Sequence, residues 1–355
     1  MRRALRLAER GRGRVNPNPM VGAVIVRGGR VVGEGWHRAL GEAHAEVMAL
    51  RHAGRLSRAA TMYVTLEPCA HTGRTPPCVD AILAAGIGRC VVAVRDPHRI
   101  VNGRGLKRLR AAGVRVEVGV LENEAREQLA GYLSTHERGR PRVTLKLAVS
   151  RDGRIAPAGG FARAGRGRWL TGPEARRAGH RLRALSDAVV VGAGTARADN
   201  PRLTARGVGA KRQPLRVVCD SRLALPLTLR LFREGRGTVV ACGTKAPAAR
   251  ERALARQGVT VWRMTATRRG ISPKGVLMRL RRAGCHDVLI EGGAALAESW
   301  LEAGLVDRIA LFTAPRMLGN GGLAWPRAAA DAWRWRVTAR GRAGSDRYTL
   351  AERER

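Results

Sequence analysis

The sequence predicts an α/β protein in two domains. Three observations carry that reading. Short Val-rich runs alternate with helical stretches along the chain, and 355 residues is about twice a common domain length. Between two such alternating series lies Arg138-Gly139-Arg140-Pro141, which reads as a junction. We therefore expect domains over residues 1–140 and 141–355.

The first series begins with a helix over 3–10 and a Gly/Pro-rich loop over 11–19. Val21 to Val26 reads as a strand, and Gly28-Gly29 as a tight hairpin turn into a second strand from Val31. Apolar Val47, Leu50 and Ala53 mark a helix over 43–54. Tyr63–Leu66, Cys90–Val94 and Val114–Val118 are further strands, with helices over 79–85 and 107–112 between them. In the second series strands are expected at 143–149, 188–191, 215–218, 238–241 and 287–290. Helices are expected near 173–184, 247–257, 275–283 and 294–303, and two final strands around a Gly-rich turn over 333–350.

Hydrophobic content of 45% with 26% charged residues is a globular composition. Val21–Val26 is strand-length, and no apolar run approaches the roughly 18 residues of a membrane span. The N-terminus lacks the continuous apolar core of a signal peptide, so a cytoplasmic location is expected. The net charge of +38 invites a polyanionic partner, but only five of the 66 basic residues are Lys. The arginines are scattered without a block or tail, which fits a coding bias better than a nucleic-acid surface. Few aromatic residues are present for base stacking.

Two of the six cysteines stand apart from the rest. Cys90, Cys219 and Cys242 lie in or beside Val-rich runs as buried thiols would, and Cys285 has no partner in the pattern. Cys69 and Cys78 instead lie among Pro and His. With His44 they supply one imidazole and two thiolates, a three-ligand zinc site that keeps a fourth position for water. Glu46, two residues past the histidine, is placed to move protons between that water and a leaving amine. The order His-x-Glu, Pro-Cys, Cys is the signature of zinc deaminases. Here eight residues, not the usual two, separate the cysteines.

That spacing, in Cys69-Ala70-His71-Thr72-Gly73-Arg74-Thr75-Pro76-Pro77-Cys78, resembles the bifunctional deaminase–reductase family of riboflavin biosynthesis. Asn16-Pro17-Asn18-Pro19, Gly41 to Glu46 and Tyr63 to Cys69 carry the resemblance in the first domain. Leu145-Lys146-Leu147-Ala148, Ser150 to Ala156, Trp169-Leu170-Thr171, Val191 to Thr195, Ala198 to Arg206, Glu291-Gly292-Gly293 and Ala314 to Gly319 carry it in the second. It implies a cytidine-deaminase-like three-layer domain followed by a dihydrofolate-reductase-like α/β domain. It also implies zinc and NADPH as cofactors, a pyrimidine ribotide as substrate and a homo-oligomer.

By the resemblance His44, Cys69 and Cys78 hold zinc, and Glu46 is catalytic. Asn18 meets the pyrimidine edge and Arg74 the phosphate. Ala148, Trp169, Thr195, Asp199 and Gly293 line the NADPH site, with Asp199 the candidate proton donor. Arg183, Leu203, Arg206 and Glu291 meet the ribotide. The turns at Gly192–Thr195 and Glu291–Ala294 make physical sense without the family, since small residues there let backbone amides approach cofactor phosphates. The chain departs from the family at Arg151, at His98-Arg99 and in the loop over 161–167, where Gly167 replaces a serine. A second reading, a nucleic-acid base deaminase with a degenerate second domain, predicts salt-dependent polynucleotide binding.

Overall fold

The structure is a computed structural model that describes residues 1–73, 75–157, 169–267 and 270–354. The chain forms two compact units, Met1–Arg140 and Pro141–Arg355.

The first unit is built on β1 (Gly22–Arg27), β2 (Arg30–Trp36), β3 (Thr61–Leu66), β4 (Arg89–Val94) and β5 (Arg115–Val118), in the order β2-β1-β3-β4-β5. β1 runs antiparallel to β2 and β3, while β3, β4 and β5 are parallel. Gly28 and Gly29 close the hairpin with φ of 53° and 74°, a left-handed pair that glycine adopts without a side-chain clash. Strand residues alternate between two cores, as a period of two requires. Ala23, Ile25, Met62, Val64 and Val92 pack with Ala45, Ala49, Val79, Ile82 and Leu109 from the helices Ala45–Ala53, Cys78–Ala84 and Arg104–Ala111. On the other face Val24 packs with Ala4 and Leu7, and Ala93 with Ala125, Leu129 and Tyr132. The result is three layers, helix–sheet–helix.

The second unit contains β6 (Arg142–Val149), β7 (Arg154–Ala156), β8 (Ala188–Gly192), β9 (Leu215–Cys219), β10 (Thr238–Gly243) and β11 (Thr260–Met264). These are followed by β12 (Ala266–Thr267), β13 (Gly270–Ile271), β14 (Asp287–Glu291), β15 (Arg308–Thr313), β16 (Leu323–Ala324), β17 (Trp335–Ala343) and β18 (Asp346–Arg353). The main sheet has the order β11-β10-β9-β8-β14-β6-β15-β18-β17. It is parallel from β11 through β15 and ends in the antiparallel β17–β18 hairpin. Val190 and Ile290 face one core, Val189, Val191 and Leu289 the other.

Several elements exceed the sequence reading. In β15 the β-branched Ile309 and Thr313 flank Ala310, Leu311 and Phe312, which suit helix or strand alike; pairing with β6 and β18 decides it. The helix Glu122–Gln128 buries only Ala125 and so has no apolar period to read. The glycine turn after β8 is the first turn of a helix, Ala193–Asp199, with Gly192 as its N-cap. The loop over 161–167 lies outside the described residues.

Candidate active sites

In the first unit, close backbone contacts bring the zinc-motif residues together. His44 is the N-cap of the helix Ala45–Ala53, Cys69 follows β3, and Cys78 opens the helix Cys78–Ala84. That first helix lies so near β2 that a Cβ on Gly35 would fall on the Ala45 carbonyl oxygen. A second tether is Glu67, whose buried carboxylate accepts from the backbone N–H groups of Asp96 (3.3 Å), Gly103 (2.9 Å), Gly105 (3.0 Å) and Leu106 (3.3 Å). It ties the chain just before Cys69 to the start of the helix Arg104–Ala111, satisfying amides a helix leaves unpaired.

His44 Nδ1 lies 3.1 Å from Cys78 Sγ and 3.6 Å from Cys69 Sγ, and the three ligand atoms lie within 4.8 Å of one another. Hydrogen bonding from Cys78, and then from His44, draws the Cys69 thiol down to about 4, while the same hydrogen bond between the two sulfurs and burial push Cys78 up. Two sulfurs that compete for a proton beside an imidazole nitrogen fit a soft divalent cation. Glu46 is 4% exposed, and burial, helped by charge on Cys69, pushes its carboxyl up to about 7. That value suits a group that both takes and returns a proton near neutrality.

Asn18 stands close to this centre through a residue the sequence reading did not single out. Its Nδ2 lies 3.1 Å from Nε2 of the buried His37, whose ring meets that of His44 edge to face at 5.2 Å. No ligand spacing marks His37; only the fold puts it there. Thr75 Oγ1 lies 3.5 Å from His44 Nε2. Arg74 lies outside the described residues. His98, one of the departures, has a backbone N–H that donates to Asp96 at 2.8 Å and a ring 4.4 Å from that of His136. Asp96, also hydrogen-bonded by the Tyr132 hydroxyl, is pushed up to about 6 by burial.

The second unit assembles its site at the carboxyl ends of parallel strands, where α/β sheets bind ligands. The Gly293 N–H donates to Thr195 Oγ1 at 2.9 Å, joining the turn after β8 to the turn after β14. A Cβ on Gly194 would meet nothing within 4 Å, whereas one on Gly293 would stand 3.4 Å from Thr195 Oγ1. The joined turns thus leave a bare backbone cradle of the kind a dinucleotide needs. Arg183, on the helix Pro173–Leu185, grips Glu291 with two bonds of 2.6 and 2.7 Å and donates to the Thr204 carbonyl at 3.2 Å. Burial acts to raise Glu291, but the Arg183 charge and bonds together outweigh it and hold the carboxyl below its usual range.

Lys146, within the Leu145–Ala148 run, adds a partly buried cation to this cluster. It is the register partner of Glu291 across β6 and β14, and burial lowers its pKa against the opposing pull of Glu291 and Asp199. Along β6 the odd residues Val143 to Val149 are buried, so Lys146 and Ala148 share the opposite face. Arg206 donates to Thr204 Oγ1 at 2.6 Å, and its pKa is lowered by burial and by the positive neighbours Arg183 and Arg202. Such crowding of positive charge suits a phosphate. Leu203 and Trp169 have contrasting surroundings. Leu203 is 1% exposed within the core and has a φ of 56°, so its side chain is committed to packing and only its backbone is left for a ligand. Trp169 is exposed, with the Arg176 guanidinium 5.3 Å from its ring.

Comparison with known proteins matches both units. Residues 1–94 match the cytidine and deoxycytidylate deaminase zinc-binding region, and residues 141–339 match the RibD C-terminal domain. The riboflavin biosynthesis protein RibD of Aquifex aeolicus is 40% identical over 321 residues, covering 90% of this chain and 87% of that protein. RibD of Escherichia coli is 41% identical, covering 90% of this chain and 88% of that protein. The solved structure of Acinetobacter baumannii RibD superposes with a TM-score of 0.89 at 36% identity, covering 100% of this chain and 98% of that one. A Thermotoga maritima diaminohydroxyphosphoribosylaminopyrimidine deaminase/5-amino-6-(5-phosphoribosylamino)uracil reductase superposes with a TM-score of 0.84 at 33% identity, covering 100% and 97%. Among the described residues no helix is long and apolar enough to cross a membrane.

Proposed function

The chain belongs to the RibD family, and from that membership we propose which of its residues carry the two reactions. It is a bifunctional enzyme of riboflavin biosynthesis, with a zinc-dependent deaminase unit and an NADPH-dependent reductase unit. The substrate is the diaminopyrimidine ribotide in the first step and the aminouracil ribotide in the second, as the name of the Thermotoga relative suggests. The observation that carries the reading is the His44, Cys69 and Cys78 cluster with Glu46 buried in its electrostatic range.

In the first step water's oxygen replaces a ring amine, which leaves as ammonia. His44, Cys69 and Cys78 hold zinc, which when bound acts as a Lewis acid that brings the pKa of water towards neutrality. Glu46 carries two protons in turn, the first from the attacking water to the ring nitrogen and the second from the added hydroxyl to the amine as its C–N bond breaks. Asn18 engages the edge of the pyrimidine and Arg74 its phosphate.

In the second step the ribosyl group becomes a ribityl chain. NADPH, when bound, supplies the hydride. Thr195 and Gly293 cradle the cofactor, with Ala148, Trp169 and Asp199 around it. Arg206 and Arg183 neutralise the ribotide phosphate, Glu291 orients Arg183, and the Leu203 backbone lines the same site. Asp199, as the protonated carboxylic acid, donates the proton that accompanies hydride. The nucleic-acid reading draws no support from the RibD relatives, and residues 141–339 match the RibD C-terminal domain.

An assay that follows ammonia and NADPH together, starting from the diaminopyrimidine ribotide with zinc present, tests the proposal. Ammonia should appear first, with NADPH consumed only as the deaminated ribotide accumulates. NADPH oxidation that precedes ammonia would overturn the order. The reading also carries a cytoplasmic, homo-oligomeric enzyme, which fractionation and light scattering test.

A further inference from the structure

We infer that His37 is a positioning residue of the deaminase site: it holds the Asn18 carboxamide by its NH₂ end and so leaves Oδ1 to accept from an N–H on the edge of an aminopyrimidine. This rests on the reading of Asn18 as a substrate-facing residue, and adds to it a direction for the hydrogen bond.

His37 Nδ1 lies 3.2 Å from the Ala43 carbonyl oxygen. A carbonyl only accepts, so Nδ1 carries a proton. At the other end Nε2 lies 3.1 Å from the Asn18 amide. Two arrangements satisfy that contact. A neutral ring accepts from the Asn18 NH₂, or a doubly protonated ring donates to Asn18 Oδ1. The ring is 2% exposed, packs edge-on against the zinc-ligand imidazole of His44, and has no carboxylate bonded to it among the described residues. It is the carboxamide nitrogen Nδ2 that faces Nε2, and an NH₂ group only donates, so Nε2 accepts. The neutral ring prevails, and with it the inward NH₂.

The rest of Asn18 is equally constrained. Its backbone N–H donates to the Val15 carbonyl at 2.8 Å, and Oδ1 has no protein partner among the described residues. A carboxamide free to flip would serve a donor or an acceptor alike. Held by its NH₂, Asn18 presents Oδ1 as an acceptor, so the site favours a pyrimidine edge that carries N–H.

The test uses the zinc-loaded full-length chain and four variants, His37→Phe, His37→Gln, Asn18→Ala and the double variant His37→Phe/Asn18→Ala. His37→Phe should keep its zinc yet lower kcat/KM for ammonia release by about tenfold, the worth of one hydrogen bond made well. In His37→Gln, Oε1 takes the place of Nε2 as acceptor and should recover most of that loss. Added to Asn18→Ala, His37→Phe should cost nothing more, because it acts only through Asn18. A full further loss in the double variant, or no loss in His37→Phe, overturns the proposal. If Asn18→Ala alone keeps full kcat/KM, it is the substrate role of Asn18 that fails. Nitrogen-15 spectra of labelled histidine, with His37 assigned by its absence in His37→Gln, judge the hold itself even if His37→Phe does not fold. A proton on Nδ1 alone supports it, and a proton on Nε2 overturns it.

Discussion

In the first unit the metal-binding and proton-moving groups come from one stretch of chain, His44 to Cys78, whereas in the second Arg183, Thr204 and Glu291 are gathered from elements far apart in sequence. The first set is held by close backbone contact, with Gly35 against Ala45 and Glu67 capping the helix Arg104–Ala111. The second is held by charge, through a two-pronged ion pair that is mostly buried. A site held by backbone spacing should fail when a methyl group is added beside it. A site held by an ion pair should fail when one charge is removed. Variants that reverse those sensitivities would break the comparison.

The largest expected effect is chemical. Glu46→Gln should lower the rate of ammonia release by about 10²–10⁴-fold, the usual worth of general acid–base catalysis, while zinc content stays unchanged. Metal analysis beside the ammonia assay checks both halves.

Next is the ion pair. Arg183→Met leaves Glu291 buried without its partner and should destabilise the second unit by about 3 kcal/mol, read as a fall in Tm. The pH dependence has a definite sign. Because Arg183 holds Glu291 below its ordinary value, the pair stabilises the wild type above the normal carboxylate pKa of about 4.3. That contribution is lost as pH falls through the lower, folded value. In Arg183→Met Lys146 still faces the carboxyl but the bonds of Arg183 are gone, so its pKa should rise and this acid-side loss of stability should shrink.

Gly35→Ala should cost about 1–3 kcal/mol, since the new methyl displaces the helix whose N-cap is His44, and zinc affinity should fall with it. Charge-neutral and small though it is, this change should harm the first unit more than most surface arginine substitutions. The smallest effect is expected at Thr195→Val, which deprives the Gly293 N–H of its acceptor. About 1 kcal/mol, or roughly fivefold in the KM for NADPH, is the anticipated loss. Ammonia release should not change.

The same contrast governs what could be read from the residues. His44, Cys69 and Cys78 lie within one local pattern, so their ligand chemistry is legible as a set. Most strands are legible too, because Val-rich runs bounded by glycine turns have few other uses. His37 and Lys146 are not, since an isolated histidine at a strand end and a lysine within a strand have no signature until β2 and β6 acquire neighbours. Leu203 shows the converse. Its motif suggests a ligand contact, but the side chain is taken up by the core around Phe232 and Val218. The +38 charge is consistent with this picture: Arg183 and Arg206 have defined partners, while pairs such as Arg327 with Asp331 are exposed and contribute little to stability.

The central claim is that two units hold two independent sites, one dependent on zinc and one not. The direct measurement is to strip the metal with a chelator and assay each step on its own substrate, then restore zinc and repeat. We expect ammonia release to vanish and return with zinc, while NADPH oxidation with the deaminated ribotide holds its rate throughout. Loss of both activities on chelation, or of neither, would contradict the account.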